Sequence, residues 1–94
     1  MKLTKREIEY LEQCGEDEES IAQVKRVICN RNLKITIEEK GKERRISYVY
    51  AKHLLGWEEF IGAIHRASFH WSSSRQTKDG RTIYFDASKF FERW

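Results

Sequence analysis

Side chains suited to contacting nucleic acid are concentrated between residues 65 and 81 of this chain. Arginine can contact a guanine edge or a phosphate through parallel hydrogen bonds, glutamine can contact adenine, and lysine neutralises phosphate charge. An exposed aromatic ring among them adds a flat apolar contact. These residue types define the candidate nucleic-acid-binding set, which is His65, Arg66, Phe69, Arg75, Gln76, Lys78 and Arg81.

Enzyme chemistry is not indicated by any motif. A nucleophile needs a base and an orienting group close by. Cys14 and the serines at 72–74 occur without a motif that would place His65 or His70 beside them. The chain has no glycine-rich phosphate loop, and its histidines lack the spacing of a metal site. The sequence therefore predicts a non-enzymatic protein with no catalytic residue, no metal and no cofactor.

Composition and charge predict one domain over residues 1–94, with a single core and a well-solvated surface. The net charge is only +3. Residues 1–30 carry 5 Lys and Arg against 7 Asp and Glu, whereas residues 31–56 carry 7 against 3. This division allows a basic face on the later part of the chain, while the first part stays away from a polyanion. An ordinary mixed surface is the alternative that the charges leave open.

The two cysteines, Cys14 and Cys29, also leave two alternatives open. They form one bridge if the first two helices pack antiparallel, or they are buried free thiols. Residues 1–4 lack the apolar segment of an export signal, so buried thiols are favoured. Because no apolar run reaches the roughly 18 residues of a membrane span, we expect a cytoplasmic protein with no membrane partner.

Two helices are predicted within residues 1–30. Thr4–Glu7 has the pattern of a capping box, and Gly15 ends the first helix. Asp17 or Ser20 then caps the second helix. Its apolar stripe consists of Ile21, Val24, Val27 and Ile28. These helices are expected to form an antiparallel helical hairpin.

Residues 31–46 are predicted to form a short strand or a β-hairpin. Apolar and polar residues alternate over positions 33–38, which is the period of a half-buried strand, and Lys40–Lys42 supplies a turn. The alternation continues into residues 47–50, which therefore fit either a strand or a helix. The helix is favoured because Ser47 can serve as its N-cap.

Residues 47–86 have the pattern of a helix-turn-helix followed by a hairpin. The first helix ends at Gly56, and the second begins at Trp57 with apolar spacings of three and four. Asp79-Gly80 between two strand-like runs predicts the hairpin turn. The inward stripe of the second helix is Trp57, Phe60, Ile61, Ile64, Ala67, Ser68 and Trp71. Its outward face is Glu58, Glu59, Gly62, His65, Arg66 and Phe69.

A short terminal helix over residues 87–94, capped by Asp86 and carrying Phe90, Phe91 and Trp94, completes an α+β protein. The elements should share one core, whose predicted members are Ile8, Leu11, Ile21, Val24, Ile28, Ile35, Leu54, Phe60, Ile61, Ile64 and Phe85.

Residues 47–86 resemble winged helix-turn-helix proteins of the excisionase-like or MerR-like kind. The resemblance is carried by Ser47…Ala51…Leu54-Leu55-Gly56, the amphipathic helix that follows, and Asp79-Gly80-Arg81…Tyr84. It implies a helix that enters the DNA major groove and a β-hairpin wing whose arginines contact the backbone. The chain differs from those families in its acidic pair Glu58-Glu59, its long second helix and its N-terminal helical hairpin.

The resemblance thus implies a non-enzymatic protein that binds double-stranded DNA, as a regulator or a recombination accessory. The small, highly charged chain is also similar to accessory proteins of phages and mobile elements, many of which bind host proteins. The alternative function is therefore a protein-binding module, such as an inhibitor of a host defence enzyme. Such a module would use the exposed second helix or the aromatic end of the chain.

Overall fold

The computed structural model describes residues 4–13, 17–28 and 32–92, and within them the chain forms five helices and four strands. The predicted α+β class is confirmed. The elements in chain order are α1 (Lys5–Gln13), α2 (Glu18–Ile28), β1 (Lys34–Glu39), β2 (Lys42–Arg45), α3 (Tyr48–Leu55), α4 (Trp57–His70), β3 (Ser72–Gln76), β4 (Thr82–Asp86) and α5 (Ser88–Glu92).

Local capping starts the first two helices as predicted. The Glu7 amide donates to Thr4 Oγ1 at 3.2 Å, and the Thr4 amide donates back to Glu7 Oε1 at 2.9 Å. Asp17 Oδ1 accepts from the Ser20 amide at 2.8 Å, and this bond lowers the pKa of the Asp17 carboxyl. Asp17 rather than Ser20 is therefore the cap of α2.

Several predictions fall outside the described residues. They concern the helix end at Gly15, the state of Cys14 and Cys29, and Trp94 in the terminal helix.

Residues 48–50 belong to a helix, so the helical alternative is confirmed for α3. Ser47 Oγ accepts from the Tyr50 amide at 3.1 Å. Gly56, with a φ of 82°, separates α3 from α4. A φ in this region favours glycine, which has no Cβ to clash with the backbone.

The prediction that Trp71 lies on the inward stripe of α4 is wrong, because its side chain is 57% exposed. The helix ends at His70, and Trp71 adopts a φ of 72°. This left-handed conformation takes the chain out of the helix before the stripe can continue. The Trp71 ring stacks on Phe91 instead, with the ring centroids 5.1 Å apart.

The four strands form one antiparallel sheet in the order β2-β1-β4-β3. Strand β4 pairs with β1 through Ile35 opposite Phe85 and Ile37 opposite Ile83. The β3–β4 hairpin that the sequence predicts as a wing is therefore continuous with the earlier hairpin. Its strand β4 lies in the middle of the sheet.

The core lies between one face of this sheet and the helices. Strands β1 and β4 bury Ile35, Ile37, Ile83 and Phe85 on that face. Of the predicted core residues, Ile8 and Leu54 are half-buried, and all the others are buried. The opposite face of the sheet carries no helix among the described residues, and we call it the open face.

Helix α1 is held against α3 and α4 by polar and aromatic contacts. The Glu7 side chain is 1% exposed, and its Oε2 lies 3.0 Å from Lys52 Nζ. Arg6 lies 4.2 Å above the Trp57 ring, and Tyr10 meets the same ring edge-on at 5.3 Å. Helix α1 therefore covers part of the first turn of α4.

Among the described residues, none of the helices has both the length and the apolarity required to cross a membrane.

Candidate nucleic-acid interface

The two hairpin turns lie at the same end of the sheet. The β1–β2 turn follows Glu39, and Glu38 pairs with Thr82, the first residue of β4. Because β1 and β4 are antiparallel, the β3–β4 turn before Thr82 lies beside the β1–β2 turn. We call this end of the sheet the turn end. Its cations are Lys40, Lys42, Arg44, Lys78 and Arg81.

Tyr50 of α3 connects the two hairpins at the turn end. The Arg44 guanidinium from β2 lies 5.9 Å from the centre of the Tyr50 ring. Arg81 follows the other turn, and its hydrogen bonds to Asp79, with a smaller effect of Tyr50, raise the pKa of its guanidinium. Arginines from both hairpins thus interact with one tyrosine of the first helix of the predicted helix-turn-helix.

The charge of Arg81 is opposed by a carboxylate in its own turn. Arg81 Nε donates to Asp79 Oδ1 at 3.1 Å and to Oδ2 at 3.0 Å, and Nη2 lies 2.7 Å from Oδ2. These bonds to Arg81, followed by a bond from Thr77, lower the pKa of Asp79 to about 2. Arg81 therefore stabilises the turn and presents little uncompensated charge.

Unlike Arg81, the lysines of the turn end are not paired with a carboxylate of the described residues. Lys40, Lys42 and Lys78 are exposed, and none of them has an ion pair within residues 4–13, 17–28 and 32–92. Lys40 and Lys42 do not belong to the predicted site residues. Their sequence Lys40-Gly41-Lys42 identifies a turn, but only the pairing of β1 with β4 places that turn beside Lys78.

Arg75 lies against α4. Its Nε is 3.3 Å from Glu59 Oε2, and its Nη1 donates to the carbonyl of Ser74 at 2.9 Å. Its Nη2 is adjacent to Gly62, where an added Cβ would be 3.7 Å away. Gln76 follows on the open face, since successive strand residues point to opposite faces.

The remaining predicted residues lie on the later half of α4. His65 and Phe69 are in ring contact, with the ring centroids 5.1 Å apart, and Arg66 is exposed beside them. A surface hollow of about 350 Å³ lies along these side chains and Ser20 of α2. Arg66 is seven residues beyond Glu59, which corresponds to about 10 Å of helix rise.

The predicted site residues are therefore divided among three places. Lys78 and Arg81 are at the turn end, Arg75 and Gln76 are on opposite faces of β3, and the last group is on α4. The first turn of α4 carries the exposed acids Glu58 and Glu59. Since α1 contacts Trp57 in that turn, the start of α4 is both acidic and partly covered.

In the described parts of the chain, no three His, Cys, Asp or Glu side chains are grouped as a metal site requires. Comparisons with family models, with curated proteins and with solved structures found no match to this chain.

Proposed function

We propose that the protein binds double-stranded DNA without catalysing a reaction, and that the turn end contacts the phosphate backbone. The observation that carries the proposal is the convergence of Lys40, Lys42 and Lys78 from two separate turns. When such cations contact phosphates, counterions are released from the DNA. This release supplies most of the sequence-independent affinity of a protein for DNA. Arg44 adds a guanidinium to the same end.

The order of elements around the turn end supports a helix-turn-helix with a wing. Helices α3 and α4 are followed by the β3–β4 hairpin, and β3 runs back along α4. Ser73 Oγ donates to the Ala63 carbonyl at 2.6 Å, and further along β3, Arg75 contacts Glu59. The β3–β4 turn thus lies towards the start of α4, as a wing beside a recognition helix would.

Two of the acids near the turn end contact other groups, whereas Glu39 and Glu43 of the β1–β2 hairpin are exposed. Asp79 is paired with Arg81, and Glu38 Oε2 accepts from the Tyr84 hydroxyl at 2.7 Å on the open face. We infer that backbone contacts dominate binding, because Glu58 and Glu59 at the start of α4 oppose deep entry into a groove. A regulator or a recombination accessory would use such a surface to hold its position on DNA.

The test is titration of a labelled random-sequence duplex at several salt concentrations, followed by fluorescence anisotropy. The combined change Lys40→Ala, Lys42→Ala and Lys78→Ala should weaken binding and lower the salt slope by up to about 2.7, at roughly 0.9 per phosphate contact. The matched control is Lys5→Ala, Lys25→Ala and Lys89→Ala, which removes the same charge from exposed positions on three helices.

The proposal predicts that the control variant keeps the wild-type slope. If wild type has no duplex affinity even at low salt, or if both triple variants lose affinity equally, the turn end is not a DNA-binding surface.

A further inference from the structure

Strand β3 is an edge strand with backbone groups directed away from the sheet. The Thr77 amide donates to the Arg81 carbonyl at 2.8 Å, and the Ala87 amide donates to the Trp71 carbonyl at 2.7 Å. Residues alternate in the direction of their backbone groups along an antiparallel pair. The outward N–H and C=O groups are therefore those of Ser72, Ser74 and Gln76.

The other edge of the sheet is charged along its whole length, whereas β3 carries one charged residue, Arg75. Strand β2 has the sequence Lys-Glu-Arg-Arg, and each of its residues is exposed. Charged side chains along an edge discourage pairing with another strand. Strand β3 begins with three serines, whose small side chains place no such obstacle beside the backbone.

Exposed aromatic side chains are grouped around β3. Of the four large hydrophobic side chains exposed in the described residues, Trp71 (57%) and Tyr84 (36%) lie beside this strand. Trp71 immediately precedes β3, and Tyr84 is opposite Ser74. Trp71 also has a positive φ, a conformation that is unfavourable for a bulky residue and occurs often at functional sites. Aromatic anchors of this kind are typical of protein interfaces.

The charge beside this edge selects the kind of partner. A hollow of about 680 Å³ lies along the three serines of β3. Its charged lining consists of three cations, Lys34, Arg66 and Arg75, against two carboxylates, Glu43 and Asp86. Pairing of β3 with a second copy of this chain would bring together two linings in which cations exceed carboxylates, and like charges oppose that arrangement. An approaching strand that carries carboxylates would be attracted instead.

We propose that β3 binds an extended segment of another protein, rich in Asp or Glu, which adds to the sheet as a further strand. Main-chain hydrogen bonds to Ser72, Ser74 and Gln76 supply the affinity, and the arginines supply the preference for acids. Arg75 now donates to the outward Ser74 carbonyl. On binding, Nη1 moves from that carbonyl to a carboxylate of the added strand, while Nε keeps its contact with Glu59.

The first experiment uses a short, blocked peptide of alternating glutamate and valine, titrated into isotope-labelled protein. Amide hydrogen exchange should slow at Ser72, Ser74 and Gln76, and remain unchanged at Glu43 and Arg45 on the opposite edge. The same peptide with lysine in place of glutamate should have no effect. Protection at β2, or equal protection by both peptides, would overturn the proposal.

Variants separate strand addition from other binding. Ser74→Pro removes an outward N–H without removing a bond to β4, and it should weaken binding at least tenfold. Glu43→Pro makes the matched change at the β2 edge and should retain affinity. If Ser74→Pro does not fold, the glutamate peptide N-methylated at alternate residues replaces it, and should likewise not bind to wild type.

A charge exchange completes the test. The double change Arg66→Glu and Arg75→Glu should transfer binding from the glutamate peptide to the lysine peptide. Concentration-dependent protection of β3 without any peptide would instead identify a second copy of this chain as the occupant, and would reject the acidic segment.

Discussion

The two hairpins both contain cations, but they use them differently. In the β1–β2 hairpin, Lys40 and Lys42 are exposed and have no ion pair within the described residues. In the β3–β4 hairpin, Lys78 is likewise exposed and without an ion pair in the described residues, but Arg75 is paired with Glu59 and Arg81 with Asp79. The comparison shows that the number of basic residues in a hairpin does not determine how much charge it offers to a partner.

The central and edge strands of the hairpins also differ in their contribution to the core. The central strand β4 buries Ile83 and Phe85 completely, whereas every residue of the edge strand β2 is exposed. A central strand therefore contributes mainly to stability, and an edge strand mainly to the surface.

The largest expected effect tests this difference in stability. Phe85→Ala removes a fully buried ring that packs 5.9 Å from the Phe60 ring. It should lower the free energy of unfolding by about 3–5 kcal/mol. Arg44→Ala on β2 should change it by no more than about 0.5 kcal/mol. Urea unfolding followed by circular dichroism measures both, and similar losses for the two variants would contradict the comparison.

A smaller effect tests how the β3–β4 hairpin rests on α4. Gly62→Ala should raise the free energy of unfolding by about 0.5–1 kcal/mol, because alanine has the higher helix propensity. The added Cβ would meet Arg75 Nη2 at 3.7 Å, an ordinary contact. The control is Gly56→Ala, which should destabilise by about 1–2 kcal/mol because of the positive φ at Gly56. A loss of stability in Gly62→Ala would show that the Arg75 side chain cannot move to make room for the added methyl group.

The smallest effect concerns the turn of the same hairpin. The hydrogen bonds from Arg81 lower the pKa of Asp79 from its ordinary 3.8 to about 2. Since the folded pKa is the lower one, the stabilisation from this pair is present above pH 3.8 and disappears as the pH falls towards 2. The carboxyl carbon resonance of Asp79 should therefore titrate near pH 2 in wild type.

Arg81→Gln should return the Asp79 midpoint towards 3.8, and Lys78→Gln should leave it near 2. An unchanged midpoint in Arg81→Gln would mean that Arg81 does not pair with Asp79 in solution. Arg81 would then resemble the unpaired lysines of the β1–β2 turn.

Local sequence signals predicted the starts of the helices with good accuracy. The capping groups of Thr4, Asp17 and Ser47 act on amides only three residues away, so no distant part of the chain is needed to place them. The turns at Lys40-Gly41 and Asp79-Gly80 were predictable for the same reason. Trp71 was misplaced because helical periodicity gives no information on where the helix stops.

The predicted site residues stay a prediction, and the structure shows only that they do not form one surface. The pattern of α4 and its hairpin suggested one surface containing Arg66, Arg75 and Lys78. Arg75 is instead paired with Glu59, and Arg66 lies further along the helix. Lys40 and Lys42, which belong to the proposed DNA surface, are not among the residues predicted from sequence, because their position beside Lys78 depends on pairing between strands that are far apart in the chain.

The sequence by itself determined the helix caps, the turns, the apolar stripes and the α+β class, because these depend on interactions within a few residues. Only the tertiary structure decided that β4 lies between β1 and β3, that both turns meet at one end, and which cations are neutralised. Strand order and ion pairing join residues that are distant in the chain, and local patterns carry no information about those partners. For this reason the proposed DNA surface and the proposed strand-binding edge both depend on the arrangement of the sheet.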